Sequence, residues 1–152
     1  MANYVPSHFA ICVRSLERSL RFYCDGLGFE PVGRYELKGA ELPGLAQNLE
    51  VSGDVELTTQ VIERDGWRIE LLQFGAPGVV GSPSAHRNQL GITHFAVSVD
   101  DVGAAAERML EYGALVLDET HANFGTDVVF LMDPDGVRVA LVRGIPAPAA
   151  DA

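Results

Sequence analysis

Three side chains in this sequence are of the types that bind metal ions or move protons, and a repeat places two of them alike. His8 opens the stretch HFAICV, His94 opens HFAVSV, and Glu70 interrupts the apolar run WRIELLQF. Imidazole nitrogens and a carboxylate oxygen are suitable donors for divalent first-row metals. A carboxylate inside an apolar strand is costly unless it is paired or bound to a cation, so Glu70 predicts a partner. Taken singly, the histidines read as ordinary hydrogen-bonded residues at strand starts, and Glu70 as a partner of Arg68 on the same strand face. Their coincidence at matched places in a repeat favours a shared site.

Other reactive side chains carry less. His121, in THANFGTD, is expected in a loop ahead of a strand, within reach of a cavity as an acid or base. His86 reads as exposed. Cys12 and Cys24 lack CxxC spacing and read as small buried thiols with no chemical role. Met109, Met132, Phe22 and Trp67 read as core or cavity lining. GLGFEP is no dinucleotide fingerprint, because Gly26 and Gly28 follow a helix and Pro31 occupies the third glycine position.

The elements that position these residues follow from the repeat. HFAICVRSLE lies over HFAVSVDDVG at an offset of 86 residues, and DGWRIELLQFG over DGVRVALVRG at an offset of 70, with apolar positions in phase. The second copy is therefore the shorter by about 16 residues between its first and last strands. Each copy predicts a strand, a helix and three further strands, an α+β class. The first helix should be capped by Ser15, bury Leu16, Leu20 and Tyr23, and end at Gly26. PGLAQNL allows an extra helical turn or lid. Asp65-Gly66 predicts a two-residue hairpin, and Asp133 to Gly136 a turn of the same kind. The modules run over 4–75 and 91–144, joined by a Gly, Pro and Ser-containing linker at 76–90, in one domain over 4–144, with 145–152 expected to be a disordered tail.

Strand parity then orients the candidate residues. Phe9, Ile11 and Val13, with Phe95, Val97 and Val99, form bulky faces that should bury against the helices. His8, Ala10 and Cys12, with His94, Ala96 and Ser98, fall on the opposite, open faces. Arg68, Glu70, Leu72 and Phe74 share the open face of their strand.

Composition narrows the partners. The 152 residues include 11 basic and 21 acidic side chains, a net charge of −10, which disfavours nucleic acid and anionic membranes. No apolar run reaches the length of a membrane span, and no export signal is visible, so a cytoplasmic protein is expected.

The doubled module, the paired HF strand starts, DGWRIELLQF and DPDGVRVALV together resemble the vicinal oxygen chelate superfamily, over about residues 4–144. That group includes glyoxalase I, methylmalonyl-CoA epimerase, extradiol dioxygenases and the fosfomycin- and bleomycin-resistance proteins. The resemblance implies two tandem βαβββ modules forming a curved mixed sheet around a central cavity. It implies a divalent metal ion (Fe2+, Mn2+, Zn2+, Ni2+ or Co2+) held by residues on the first and last strands of each module. Carried over by position, the metal ligands are His8, Glu70 and His94, and the fourth position, matched through Asp135-Gly136, is Ala140, which offers no donor.

Relatives of the glyoxalase and epimerase type carry side chains at all four positions. Extradiol dioxygenases use two histidines and a glutamate from the later module, of which His8, Glu70 and His94 would be the rotated equivalent. The resemblance therefore implies a metal-dependent enzyme acting on a small substrate with two nearby oxygens, by glyoxalase or isomerase-like enolate chemistry, with Glu70 as a ligand that detaches to act as base. Extradiol ring cleavage is one alternative. Metal-free binding of an antibiotic, its cationic form drawn by acidic walls, is another. Ala140 disfavours a symmetric two-base epimerisation. The resemblance also implies a homodimer.

Overall fold

A computed structural model describes residues 2–144; the tail expected to be disordered, 145–152, lies outside the described residues. The chain divides into two compact units, the first ending at Gly81 and the second beginning at Ser82, a boundary inside the expected linker.

The first unit is a four-stranded sheet in the order β1-β4-β3-β2, built from β1 (Phe9–Cys12), β2 (Glu30–Lys38), β3 (Glu56–Arg64) and β4 (Trp67–Ala76). β1 and β4 are parallel, and the other pairs are antiparallel. Helix α1 (Leu16–Leu20) continues into one widened turn, Arg21–Gly26, and a second short helix α2 (Leu45–Leu49) occupies the segment read as an extra helical turn. Ser15 caps α1, its Oγ accepting from the Arg18 N–H at 3.3 Å. In the widened turn the Leu27 N–H reaches back five residues to the Phe22 carbonyl, at 3.0 Å. The added residue per turn brings Phe22 and Tyr23, neighbours in sequence, both into the core, where their rings meet edge to face at 4.8 Å. Ile69 and Leu71 of β4 are buried, as their parity requires.

The second unit repeats the plan in the order β5-β8-β7-β6, from β5 (Phe95–Ser98), β6 (Leu115–Asn123), β7 (Asp127–Met132) and β8 (Arg138–Arg143). Helix α3 (Val102–Met109) is capped by Asp101, 86 residues after Ser15, whose carboxylate accepts from the Ala104 N–H at 2.9 Å. It buries Val102, Ala106 and Met109 at regular helical spacing. Two sheets with few helices bear out the α+β reading. No helix among the described residues is long and apolar enough to cross a membrane.

The two hairpin turns differ in kind, contrary to the expectation that they match. At Asp65-Gly66 both residues take positive φ, 50° and 82°, the mirror-image turn that suits twisted strands. In the second unit Pro134 fixes a negative φ, so only Gly136 turns left-handed, at φ 93°, and the loop is longer. The buried Asp133 carboxylate organises it by accepting from the Asp135 and Val137 N–H groups at 2.9 and 2.8 Å.

Three burial expectations need correction. Phe9 does not bury against the helix; it lies beyond the reach of α1, 51% exposed, and stacks on Trp67, equally exposed, at 5.8 Å. Trp67 is therefore a surface residue, whereas Phe22 and Met109 are core. Cys12 is exposed because it lies on the open face of β1, and Cys24 is half-buried, where desolvation and then Asp25 push its thiol up to about 11.

Candidate functional site

In the first unit the partner that Glu70 requires is supplied by His8. Ala10 of β1 sits opposite Glu70 of β4 in the parallel register, and His8, just before β1, shares the face of Ala10. The His8 Nε2 lies 3.0 Å from Glu70 Oε2. Arg68, the alternative partner, pairs instead with Glu63, directly opposite it on β3. The other ring nitrogen of His8 is held as well: Nδ1 is 2.9 Å from Ser7 Oγ.

The second unit has the same register and different chemistry. Ala96 of β5 sits opposite Ala140 of β8, so Ala140 is the structural counterpart of Glu70 within its own unit. His94 precedes β5 as His8 precedes β1, and its Nδ1 is 2.7 Å from Thr93 Oγ1. On β7, Phe130 pairs with Ala140, where the first unit pairs Val61 with Glu70. The Phe130 ring meets the His94 ring edge to face, with centroids 4.8 Å apart, and Ala140 is only 1% exposed. Loss of hydration, and then the nearby Arg87 cation, hold His94 below the usual histidine value. Arg87 is itself anchored by donating to the Ser84 and Thr93 carbonyls. A neutral imidazole is the form that binds a metal.

The donor types suit a divalent ion, two of them in the first unit and one in the second. An imidazole nitrogen and a carboxylate oxygen converge from neighbouring strands in one unit, a second imidazole occupies the matching place in the other, and each histidine is steadied at Nδ1 by a hydroxyl, as metal-binding histidines usually are. In His94, Nδ1–H donating to the Thr93 hydroxyl leaves the Nε2 lone pair for an ion, whereas in His8 Nε2 faces the Glu70 carboxylate and is the donor in that contact. Among the described residues, no three His, Cys, Asp or Glu side chains gather closely enough to hold an ion by themselves.

His121 lies elsewhere. It belongs to β6, not to a loop, because that strand continues past a bulge between Leu117 and Ala122. Ala122 pairs with Val128 and so shares the face of Phe130; His121, one residue earlier, points to the helix side. There its Nε2 is 2.8 Å from Asp127 Oδ1, at a pocket of about 440 Å³ lined by Ala106, Leu110, Val116 and Val129.

Ser7, Thr93 and Phe130 went unremarked in the sequence. The first two carry a legible signal, since a hydroxyl residue precedes the histidine in both copies, SHF and THF. Phe130 emerges only once strand pairing sets it opposite Ala140.

Comparison with known proteins bears on the family and the fold. The Glyoxalase/Bleomycin resistance protein/Dioxygenase superfamily matches over residues 6–141. The chain is 31% identical over 139 residues to catechol-2,3-dioxygenase of Bacillus subtilis (strain 168), spanning 90% of this chain but only 40% of that protein. It is 30% identical over 140 residues to lactoylglutathione lyase of Salmonella typhimurium, spanning 90% of each. Among solved structures, a glyoxalase family protein from Bacillus cereus superposes with a TM-score of 0.77 at 22% identity, over 93% of this chain and 95% of that one. Glyoxalase I from Zea mays gives 0.64 at 20% identity, over 93% and 45%.

Proposed function

Because the chain belongs to the glyoxalase, bleomycin resistance protein and dioxygenase superfamily, we propose that it is a metal-dependent enzyme acting on a small substrate with two neighbouring oxygens, removing a proton from the carbon beside them. The observation that carries this reading is the His8–Glu70 pair, Nε2 to Oε2 at 3.0 Å, on the first and last strands of the first unit. His8, Glu70 and His94 would hold a divalent ion, which when bound draws negative charge onto the substrate oxygens. Glu70 Oε2 would be the acceptor for the proton, a carboxylate being a base of suitable strength beside an acidified carbon. Ser7 and Thr93 orient the two imidazoles. With alanine at 140 there is no second carboxylate at the matching position, which disfavours a symmetric two-base epimerisation and favours isomerisation or elimination.

Ala140 also supports a second reading. Two histidines and one carboxylate leave positions open for substrate and oxygen, the arrangement suited to ring cleavage, and one of the relatives is a catechol dioxygenase. We place the protein as a homodimer in the cytoplasm, which sedimentation and fractionation test.

Metal analysis after chelator-free purification decides first. Near-stoichiometric divalent metal that is lost in Glu70→Ala supports the enzyme; a metal-free native protein that binds a cationic drug overturns it. Oxygen uptake with catechol, against thioester formation from methylglyoxal and glutathione, then separates the two chemistries.

A further inference from the structure

We infer that Arg87 and Arg138 form a carboxylate-binding corner on the open face of the second unit, for a small organic acid whose apolar body lies against Phe130 and Met132. The corner belongs to the second unit alone and needs no bound metal.

In the first unit Arg68 of β4 stands opposite Glu63 of β3 and pairs with it, two residues before Glu70. Arg138 of β8 is the matching arginine, two residues before Ala140, but the residue opposite it on β7 is Met132. The second unit has kept the cation and lost both carboxylates. It has also gained a second cation. The parallel register that sets Phe95 beside Val139 brings His94 beside Arg138 one residue earlier. Arg87 is fastened at that same end of β5, where its two terminal nitrogens donate to the Ser84 and Thr93 carbonyls. Loss of hydration, and then the charge of Arg138, hold Arg87 below the usual arginine value, so the two cations feel each other. Neither pairs with a carboxylate among the described residues. The Asp133 carboxylate is buried and accepts from the Asp135 and Val137 N–H groups.

Two neighbouring cations without a counter-charge repel, and an anion seated between them removes that cost. In a chain with 11 basic and 21 acidic side chains, such a corner does not arise from an excess of arginine. A guanidinium presents several N–H donors in a plane that matches the two oxygens of a carboxylate. Arg87 gives two of its donors to carbonyls, and Arg138 gives one to the Gly136 carbonyl at 2.9 Å, which leaves others for a ligand and holds both side chains in place. Phe130 and Met132 alternate along β7 and share the face of Arg138, so they offer the apolar surface beside the cations.

The test follows benzoate binding to the full-length protein by amide NMR shifts at low salt. EDTA is present throughout, so that no metal holds the carboxylate, and circular dichroism confirms that each variant folds. Benzoate should bind saturably in the millimolar range and shift amides around His94 and Arg138, whereas neutral benzamide, of the same shape, should not bind. Arg138→Gln should weaken benzoate binding about tenfold or more, since a charge-assisted hydrogen bond is lost. Met132→Glu restores the opposing carboxylate of the first unit and should weaken it at least as much, while Arg68→Gln leaves it unchanged. Absence of benzoate binding overturns the inference, as does benzamide binding equally well, wild-type affinity in Arg138→Gln, or inorganic phosphate displacing benzoate at concentrations below those at which benzoate binds. If Met132→Glu misfolds, Arg138→Gln decides by itself. Failure of the metal-dependent reading leaves all of these results unmoved.

Discussion

The two units share a sheet order, a register and a cap position, yet they divide their labour. The first buries two aromatic rings under its sheet through a widened helical turn and presents a histidine–carboxylate contact on the other face. The second has a regular helix with Gly103 and Ala106 where the first has Glu17 and Leu20, a pocket beneath it, and an aromatic contact in place of the histidine–carboxylate one. Strand pairing is carried by the backbone and survives such exchanges. Side-chain content on either face is then free to diverge, so the repeat fixes where chemistry can sit but not which chemistry is there.

Breaking the helix half of this comparison should give the largest effect. Phe22 is fully buried, while its counterpart 86 residues on, Arg108, is exposed and lies 5.9 Å from the centre of the Tyr112 ring. Phe22→Ala is expected to lower stability by about 3–5 kcal/mol, since it removes a buried ring and leaves a cavity. Arg108→Ala should cost no more than about 1 kcal/mol, the scale of an exposed cation–ring contact. Urea titration of both variants measures the difference. Equal losses would mean that the widened turn does not concentrate the core contacts of α1.

The hydroxyls that precede the two histidines offer a smaller and symmetric test. Removing the hydrogen bond that orients a metal-binding histidine typically weakens binding by about 10-fold or more, so Ser7→Ala and Thr93→Val should each lower Zn2+ affinity by roughly that factor while leaving thermal stability nearly unchanged. The expectation is sharper for Ser7, because Thr93→Val leaves His94 still packed against Phe130. A calorimetric series in which Thr93→Val matters and Ser7→Ala does not would reverse the comparison and make the second unit the dominant half of the site.

Most of the fold was legible because it depends on local alternation and on turn residues that a repeat shows twice. The order of elements, the Ser15 cap, the Asp65-Gly66 hairpin and the burial of Ile69 and Leu71 follow from such patterns. What escaped depends on contacts between distant residues. Parity gave Phe9 the helix side of its strand, but α1 is too short to cover it. His121 reads as a loop residue in the sequence, because a bulge breaks the two-residue period of β6. The partner of Glu70 was narrowed to a cation or a metal by the cost of burying charge, but choosing His8 over Arg68 required knowing that β3 places Glu63 opposite that arginine. Phe130 could not be recognised at all without the pairing of β7 with β8.

The smallest expected effect comes from making the second helix resemble the first. Ala106 lines the pocket with Leu110, Val116 and Val129, and the equivalent residue in the first unit is Leu20. Ala106→Leu adds apolar atoms to a partly open, mostly apolar space without a change of backbone. Leucine is nearly as good a helix former as alanine, so propensity contributes little to the outcome. Filling such a space commonly stabilises a protein by about 0.5–2 kcal/mol, and the lower half of that range is expected here because the pocket is open to solvent and the new side chain also loses rotamer freedom. If the space is narrower than its outline, the added atoms force neighbours off their rotamers and the sign reverses, typically by about 1–3 kcal/mol. Thermal unfolding of Ala106→Leu beside wild type therefore reads the sign directly. A raised midpoint means that the pocket is unfilled core left by a small residue, and a lowered one means that the second unit is already packed to its own shape.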